Sequence, residues 1–384
     1  MAELSLGVLG RSRKPDERRL AIHPRHVDRI DADLRHRIHL EEGYGEAFGV
    51  TDAWLARSVG GVLARDELIG RCDIVLLPKP LVDDVRELRD GQVLWGWPHC
   101  VQDPEMTQLA VDKRLTLIAF EAMNHWTASG DFDLHVFHQN NELAGFSAVL
   151  HALALVGRTS QFGRPLSAAV IGFGSTARGA IGALQAQGVH DVTVLSHRPA
   201  TAVAAPMHGV RMLQLQADDN DAGRAQVLLS SGPRPVAELL TQHDIVVNCV
   251  LQDTDAPLMF VDDDEVAGFA PGSLIVDVSC DERMGFGWAR PTSFADPVFA
   301  VGDGVNYYAV DHTPSWLWDS ATWEISEALL PHLAGALAGP SGWEASEVLR
   351  RAIEIRDGVI QNPAILSFQQ RVAAYPHARS ADLR

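Results

Sequence analysis

Two side chains that can carry protons stand at the ends of neighbouring predicted strands. Lys79 follows the strand Asp73–Leu77, and His99 follows the next one, Val93–Trp97. Because the carboxyl ends of parallel strands meet at the crevice edge of a sheet, we expect these two residues to be neighbours. Only three of the 32 basic residues are lysines, and an amine, unlike a guanidinium, can lose its proton when it is buried. Either residue alone is more often a surface or core residue, but their matched placement predicts a proton-transfer pair.

A glycine motif predicts a dinucleotide site. Gly172, Gly174 and Ala177 form G-x-G-x-x-A between the predicted strand Ala168–Gly172 and the predicted helix Ala177–Gln187. The first glycine allows the tight turn, the second lets the backbone approach a pyrophosphate, and the small third residue brings the helix close to the strand. The N-terminus of the helix then faces the phosphates. The alternative is a tight packing turn that binds no ligand.

The end of the next predicted strand, Val192–Leu195, indicates which coenzyme is used. An NAD site usually carries an acidic residue there, which binds the ribose hydroxyls. This chain has Ser196, His197 and Arg198 instead. The serine can hydrogen-bond a 2′-phosphate, and the arginine, with the histidine, can pair with its charge. We therefore predict NADP(H) over NAD(H).

Two charged residues at other predicted strand ends are candidates for binding a substrate. Arg19 follows the first predicted strand, Leu4–Leu9, and its guanidinium can hold a carboxylate through two hydrogen bonds. Asp281 follows the buried strand Ser273–Ser279 and can orient the nicotinamide or a protonated amine. The alternatives are a surface arginine and a helix or turn cap.

The elements that must position these residues alternate along the chain. Short apolar strands and helices indicate parallel sheets with helices on their faces, and the alternation starts again after a long helix at 141–156. A length of 384 residues predicts two doubly wound α/β domains. Residues 199–233 carry little pattern and predict an extended excursion. The end of the chain, from Trp316 onward, predicts helices, most clearly at 321–337 and 345–355.

Composition argues against several classes of partner. With 50 acidic and 32 basic residues the formal net charge is −18, which would repel nucleic acid and anionic membrane surfaces. No apolar run approaches the roughly 20 residues that span a bilayer, and the start lacks a signal-peptide pattern. The four cysteines have no metal-finger or Cys-x-x-Cys spacing, so we expect reduced thiols in the cytoplasm and no metal.

Over most of its length the chain resembles the family of alanine dehydrogenase and lysine-forming saccharopine dehydrogenase. Within that family it is most similar to the N5-(carboxyethyl)ornithine synthases. The segments that carry the resemblance are Glu17-Arg-Arg-Leu-Ala-Ile-His-Pro24, Leu77-Pro-Lys-Pro80, Gly96-Trp-Pro-His99, Asp244-Ile-Val-Val-Asn-Cys249, Pro271-Gly-Ser-Leu-Ile-Val-Asp-Val-Ser-Cys-Asp281 and Val310-Asp-His-Thr-Pro-Ser315. By this resemblance, Arg19 binds substrate, Lys79 and His99 are catalytic, and Asp281 lies at the site.

The resemblance implies an enzyme that oxidises or reduces a C–N bond. It implies two Rossmann-like domains with a cleft between them: a substrate domain at 1–140, completed by 310–384, and an NADP-binding domain at 141–309. In the opine-forming branch an amino group condenses with a 2-oxo acid, and NADPH reduces the resulting imine. We therefore expect small-molecule amino acid and 2-oxo acid substrates, with Arg19 on the oxo-acid carboxylate, in a homo-oligomer.

One position departs from the family. After the segment that ends at Ser315 the family usually carries an arginine, whereas this chain has Asp319. An acid there indicates a second substrate with a basic group, or one with no carboxylate at that point. Two other functions stay open: an amino-acid dehydrogenase of the alanine dehydrogenase type, which uses ammonia, and a non-catalytic NADP-binding sensor. The joint presence of Lys79, His99 and Asp281 argues against the sensor.

Overall fold

A computed structural model describes residues 4–199, 207–218, 221, 223–252 and 256–379. The chain divides into two compact units, Met1–His138 with Trp318–Arg384, and Gln139–Leu317. Residues 310–317, which we assigned to the first domain from the sequence, therefore lie in the second unit. None of the described helices is long and apolar enough to cross a membrane.

Short strands and helices alternate through the described residues. Numbered in chain order, the strands are β1 Leu6–Val8, β2 Ile38–Glu41, β3 Gly61–Leu63, β4 Ile74–Leu76, β5 Val93–Gly96, β6 Thr116–Ala119, β7 Asn124–Trp126, β8 Phe132–His135, β9 Ser167–Ile171, β10 Asp191–Ser196, β11 Val210–Ala217, β12 Ala225–Leu229, β13 Gly232–Pro235, β14 Ile245–Asn248, β15 Met259–Val261, β16 Leu274–Asp277, β17 Gly285–Phe286, β18 Val298–Val301, β19 Val305–Tyr308, β20 Ile353–Arg356 and β21 Val359–Ile360. The α-helices are α1 Ala32–Arg35, α2 Asp52–Leu55, α3 Arg65–Arg71, α4 Val82–Arg86, α5 Pro104–Asp112, α6 His138–Leu155, α7 Ser175–Ala186, α8 Val236–Leu240, α9 Trp318–Leu329, α10 Leu333–Leu337, α11 Pro340–Ala345, α12 Glu347–Ala352 and α13 Pro363–Phe368.

The first unit is built on a sheet of eight strands in the order β21-β20-β6-β5-β4-β1-β2-β3. The six strands from β6 to β3 are parallel. Beyond β6, β20 pairs antiparallel with β6, and β21 pairs antiparallel with β20. The order of the parallel strands is that of a doubly wound fold, in which the connections change face between β1 and β4. Alternate residues of β4 and β5 enter different apolar clusters, Ile74 and Trp95 on one face and Val75 and Leu94 on the other. Both faces are therefore covered, as parallel sheets require.

The second unit repeats this topology. Its sheet has nine strands in the order β13-β12-β11-β10-β9-β14-β16-β19-β18, and the six strands from β11 to β19 are parallel. Antiparallel strands extend both edges, β12 and β13 beyond β11, and β18 beyond β19. The switch between crossover directions falls between β9 and β14, next to the glycine motif. Two doubly wound, Rossmann-like α/β units confirm the predicted fold class.

Two expectations from the sequence are wrong. The predicted helix 345–355 ends early, because α12 stops at Ala352 and residues 353–356 form β20, which pairs with the edge of β6. The predicted excursion at 199–233 contains β11, β12 and β13, while residues 200–206, 219–220 and 222 lie outside the described part of the chain. Strand β11 alternates Leu213 and Leu215 with glutamines, a strand period that the polar composition of the segment obscured.

Candidate active site

Lys79 and His99 meet at the carboxyl edge of the first sheet. Strands β4 and β5 pair in register at Leu76 and Trp95, so the segments that follow them leave the sheet side by side. Lys79 Nζ lies 2.7 Å from His99 Nε2. At this distance one nitrogen donates a hydrogen and the other accepts it, so the two groups hold a proton between them. The structure thus brings together the two residues that the sequence pairs.

The backbone around this pair is held in an unusual conformation. His99 has φ 50°, in the left-handed region that non-glycine residues seldom adopt. Its N–H donates to Glu121 Oε1 at 2.8 Å, which stabilises the turn. Strain of this kind concentrates at functional sites, where surrounding contacts must hold it.

A carboxylate network holds the segment that carries Lys79. Ser12 Oγ donates to the carbonyl oxygen of Lys79. Asp84, buried at 2% exposure, accepts from the backbone N–H groups of Leu81 at 2.8 Å and of Arg13 at 3.1 Å. Arg65 Nη2 donates to the same carboxylate at 2.7 Å. The loop after β1 and the loop after β4 are therefore locked to each other.

Glu121 is a site residue that our sequence reasoning missed. It follows β6, so Lys79, His99 and Glu121 each come two or three residues after one of the neighbouring strands β4, β5 and β6. Besides the bond to the His99 backbone, its Oε1 lies 3.9 Å from His99 Nδ1. Burial, and then the negative charge of Glu354, raise the pKa of Glu121 to about 8. The strand-end rule that predicted Lys79 and His99 predicts this third residue as well, once β6 is located.

Arg19 lies in a buried ion pair. Its Nε donates to Glu17 Oε1 at 2.9 Å and its Nη2 to Glu17 Oε2 at 2.6 Å. The guanidinium also lies 5.5 Å from the centroid of the Trp97 ring. Glu17 and Trp97 therefore orient the cation, and a substrate carboxylate would share it with Glu17.

Asp319 lies beside a histidine at the start of α9. Its side chain is 69% exposed, and its Oδ1 lies 3.4 Å from Nε2 of the buried His23. Burial lowers the pKa of His23, against the opposing effect of Asp319. The adjacent Trp318 ring is covered by the guanidinium of Arg18 at 4.5 Å. The structure thus places the exposed Asp319 carboxylate beside the buried ring of His23.

In the second unit, the glycine motif lies between β9 and α7, as predicted. Gly172 has φ 100°, which a side chain would strain. A Cβ atom on Gly174 would meet no protein atom within 4 Å, so the space above the loop is open. Gly174 is also the N-cap of α7, and a glycine has no side-chain oxygen to cap this end. Open space and uncapped N–H groups fit a dinucleotide pyrophosphate. Ala177 is fully buried, which lets α7 lie close to the sheet.

Ser196, His197 and Arg198 end the neighbouring strand β10. Ser196 is 4% exposed, and its Oγ accepts the Arg198 N–H at 3.1 Å. Arg198 and His197 are exposed, and Arg198 Nη2 donates to the carbonyl oxygen of Phe173, inside the glycine loop, at 3.2 Å. The guanidinium therefore lies at the edge of the space above the loop.

A buried carboxyl group four residues before Asp281 fixes the turn that leads to it. Asp277 accepts from Tyr307 Oη, from Asn248 Nδ2 at 2.9 Å and from the Cys280 N–H at 3.1 Å. These bonds join the carboxyl ends of β14, β16 and β19. Burial raises the pKa of Asp277 to about 6. Asp281 itself is partly exposed and follows Cys280, whose φ of 49° turns the chain. Our sequence reasoning did not single out Asp277.

Two doubly wound units, with a glycine loop at the switch point of the second, are typical of oxidoreductases that bind a dinucleotide coenzyme. Residues 8–143 match the N-terminal domain of alanine dehydrogenase/PNT, and residues 154–363 match its C-terminal domain. The chain belongs to this family. It is accordingly an NAD(P)-dependent oxidoreductase that acts on CH–NH groups.

Individual relatives differ in the reactions that their names describe. The chain is 23% identical to the N(5)-(carboxyethyl)ornithine synthase of Clostridium botulinum, over 83% of this chain and 90% of the relative. It is 27% identical to the alanine dehydrogenase of Mycobacterium tuberculosis, over 87% of each. An L-alanine dehydrogenase structure matches with a TM-score of 0.72 at 20% identity, covering 95% of this chain and 99% of that one. The transhydrogenase of Sinorhizobium meliloti matches with a TM-score of 0.70 at 19% identity, covering 94% and 99%. The two structures support the fold.

Proposed function

We propose that this protein is an NADPH-dependent reductase that condenses an amino group with a 2-oxo acid and reduces the imine to an N-(carboxyalkyl) amino acid. The observation that carries the proposal is the 2.7 Å contact between Lys79 Nζ and His99 Nε2. A pair of nitrogen bases that shares a proton can both give and take one in successive steps. The similarity to an N(5)-(carboxyethyl)ornithine synthase supports the same reaction class.

The condensation needs several proton transfers that this pair can supply. Attack of the amine nitrogen on the carbonyl carbon requires the amine to lose a proton and the oxygen to gain one. Loss of water from the carbinolamine requires a second proton on that oxygen. We assign Lys79 and His99 to these transfers and Arg19 to the oxo-acid carboxylate. When bound, NADPH supplies the hydride that reduces the imine carbon.

Asp281 is proposed to orient the nicotinamide or a protonated amine, and Asp319 to bind a basic group of the second substrate. Both are carboxylates at the ends of elements, with partly or largely exposed side chains. A carboxylate stabilises an ammonium group more than a neutral amine, so either one can orient a basic substrate. For Asp319, which is 69% exposed, the bound group would also face His23.

The coenzyme preference is proposed from the end of β10. Arg198 is exposed, and its guanidinium lies beside the glycine loop. The two residues before it are Ser196 and His197, where an NAD site usually has an acidic residue that binds the ribose hydroxyls. We expect a lower Michaelis constant for NADPH than for NADH. Arg198→Leu should raise the constant for NADPH by about tenfold to a hundredfold, because a charge-assisted bond of roughly 1.5–3 kcal/mol is lost. The constant for NADH should barely change.

Arg164→Leu is the matched control for this coenzyme test. The Arg164 side chain is 65% exposed and pairs with Asp244. Arg164 precedes β9, so it lies at the amino end of that strand, whereas the glycine loop follows the carboxyl end. Its loss should leave both constants unchanged. A lower Michaelis constant for NADH than for NADPH in the wild-type enzyme would refute the coenzyme assignment.

A second candidate is an amino-acid dehydrogenase that uses ammonia. The chain is 27% identical to an alanine dehydrogenase and 23% identical to an N(5)-(carboxyethyl)ornithine synthase, and this similar identity supports the second candidate. Oxidation of NADPH, followed with 2-oxo acids plus ammonia and with the same acids plus amino acids, separates the two. We expect turnover with amino acids as the amine donor. Turnover with ammonia alone would favour the second candidate.

A further inference from the structure

A side chain near the C-terminal end of the chain holds the two residues that follow His99. Gln369 Nε2 lies 2.5 Å from the carbonyl oxygen of Cys100 and 3.2 Å from that of Val101. It also lies 3.1 Å from Thr107 Oγ1, whose hydroxyl donates to the same Cys100 carbonyl at 2.9 Å. Gln369 is 4% exposed and Thr107 is fully buried. Buried carbonyl groups need donors, and Gln369 supplies one to each of the two.

An arginine determines which way round the Gln369 amide lies. Arg371 Nε donates to Gln369 Oε1 at 2.6 Å, so the amide nitrogen, and not the oxygen, faces the two carbonyl groups. The Arg371 guanidinium also donates to Gln108 Oε1 at 2.7 Å and to the carbonyl oxygen of Pro104 at 3.1 Å. Pro104 and Gln108 belong to α5, the helix that follows the His99 turn. The segment after α13 is therefore tied to both the turn and the helix.

The turn needs this support because the backbone of His99 is strained. A φ of 50° persists in a non-glycine residue only where several surrounding contacts hold it. On the amino side, the His99 N–H donates to Glu121. On the carboxyl side, the His99 carbonyl oxygen accepts from the N–H groups of Gln102 and Asp103, both at 3.2 Å. Gln369 holds the carbonyl groups within the turn that these two bonds close.

We propose that Gln369 is a positioning residue, which acts through the carbonyl groups of Cys100 and Val101 to keep the His99 ring against Lys79. As far as catalysis is concerned, this inference rests on the proposed function. Lys79 Nζ and His99 Nε2 are 2.7 Å apart, and a displacement of about 1 Å would take them beyond hydrogen-bond distance. A small relaxation of the turn is therefore enough to separate the two nitrogens.

Gln369→Glu removes the donor and keeps the shape of the side chain. The carboxylate still accepts from Arg371, but it has no N–H for the carbonyl groups of Cys100 and Val101. We expect kcat to fall by about tenfold to a hundredfold, because a catalytic group displaced by about 1 Å loses activity on that scale. The dissociation constant for NADPH should stay unchanged, since the glycine loop and the end of β10 lie in the second unit.

Gln361→Glu is the matched control. Gln361 is an exposed glutamine that follows β21, and its Nε2 donates to the carbonyl oxygen of Val359 at 3.0 Å. The same substitution there removes the same kind of bond, but within the C-terminal segment itself. Its kcat should match that of the wild type. A Gln369→Glu enzyme with the kcat of this control would overturn the proposal.

The ring nitrogens of His99 report its position without substrate or turnover. With ¹⁵N-labelled histidine, the His99 signals are those absent from the spectrum of His99→Asn, and Lys79→Met shows where they lie once the contact is lost. In Gln369→Glu they should move from the wild-type position towards that of Lys79→Met. Because this readout needs no substrate, it separates failure of the inference from failure of the proposed function.

Gln369→Met keeps the test decisive if a buried carboxylate unfolds the protein. Methionine has a similar length, no charge and no N–H, so the same fall in kcat and the same movement of the His99 signals are expected. Thermal unfolding shows which variants are folded. Lower stability with wild-type kcat and unmoved His99 signals would show a merely structural role and overturn the proposal.

Discussion

At the scale of single residues, the proposed function depends on the contact between Lys79 and His99. Two cations 2.7 Å apart would repel, so an ammonium that donates to a neutral imidazole, or the reverse arrangement, is required. Ser12 fixes the Lys79 carbonyl and Glu121 fixes the His99 amide, so the two side chains meet at a defined position. Geometry of this kind matters for general acid–base catalysis, because proton transfer needs hydrogen-bond reach.

Lys79→Arg separates proton transfer from charge. Arginine keeps the positive charge but does not lose its proton, so kcat should fall by about 10²–10⁴-fold. His99→Asn should cause a loss of the same order. Binding of NADPH, measured by fluorescence titration, should be unchanged in both variants.

Lys113→Arg controls for the loss of a lysine as such. Lys113 is the C-cap of α5, and its Nζ donates to the carbonyl oxygen of Arg86 at 2.6 Å. An arginine can make the same bond, so turnover should stay at the wild-type level. Turnover by Lys79→Arg close to that of this control would contradict the role of Lys79.

At the scale of elements, close packing of two helices positions the glycine loop. A Cβ atom on Gly179 of α7 would lie 1.7 Å from the carbonyl oxygen of Glu142 on α6. The two helix backbones therefore approach as closely as only glycine permits. Because α7 begins at Ser175, directly after the glycine loop, this contact sets where its N-terminus lies.

Gly179→Ala and Gly182→Ala form a matched pair on α7. The first should lower stability by about 1–3 kcal/mol through overpacking and should weaken NADPH binding, because α7 must shift. At Gly182 the nearest atom to an added Cβ is 4.0 Å away, so alanine should be neutral or stabilise by about 0.5–1 kcal/mol. Thermal unfolding and the NADPH dissociation constant measure both effects. Equal behaviour of the two variants would contradict the packing argument.

How much the sequence predicts depends on whether the signal is local. Lys79, His99 and the glycine motif follow apolar runs that are buried on both faces, and a run of this kind can be read locally. Strand β20 could not be read this way, because residues 353–356 continue a helical pattern and become a strand only by pairing with β6. Glu354 was missed with it, since nothing near it in the chain points to Glu121, 233 positions earlier. Long-range pairing is a property of the folded sheet.

At the scale of the whole molecule, each unit repeats one topology and holds part of the proposed site. The first unit holds Lys79, His99 and Arg19, and the second holds the glycine loop, the end of β10 and Asp281. Both place these residues at the carboxyl ends of parallel strands, where doubly wound sheets bind ligands. Because the two groups of residues lie in different units, we predict that coenzyme binding and acid–base function respond to different substitutions.

Transfer of deuterium from NADPH to product tests the central claim most directly. NADPH labelled with deuterium at the transferable position is incubated with the enzyme, a 2-oxo acid and an amino acid, and the products are analysed by mass spectrometry and NMR. We predict an N-(carboxyalkyl) amino acid with one deuterium on the carbon that was the oxo-acid carbonyl. Deuterium found only in a primary amino acid formed from ammonia, or no labelled product with any amine, would contradict it.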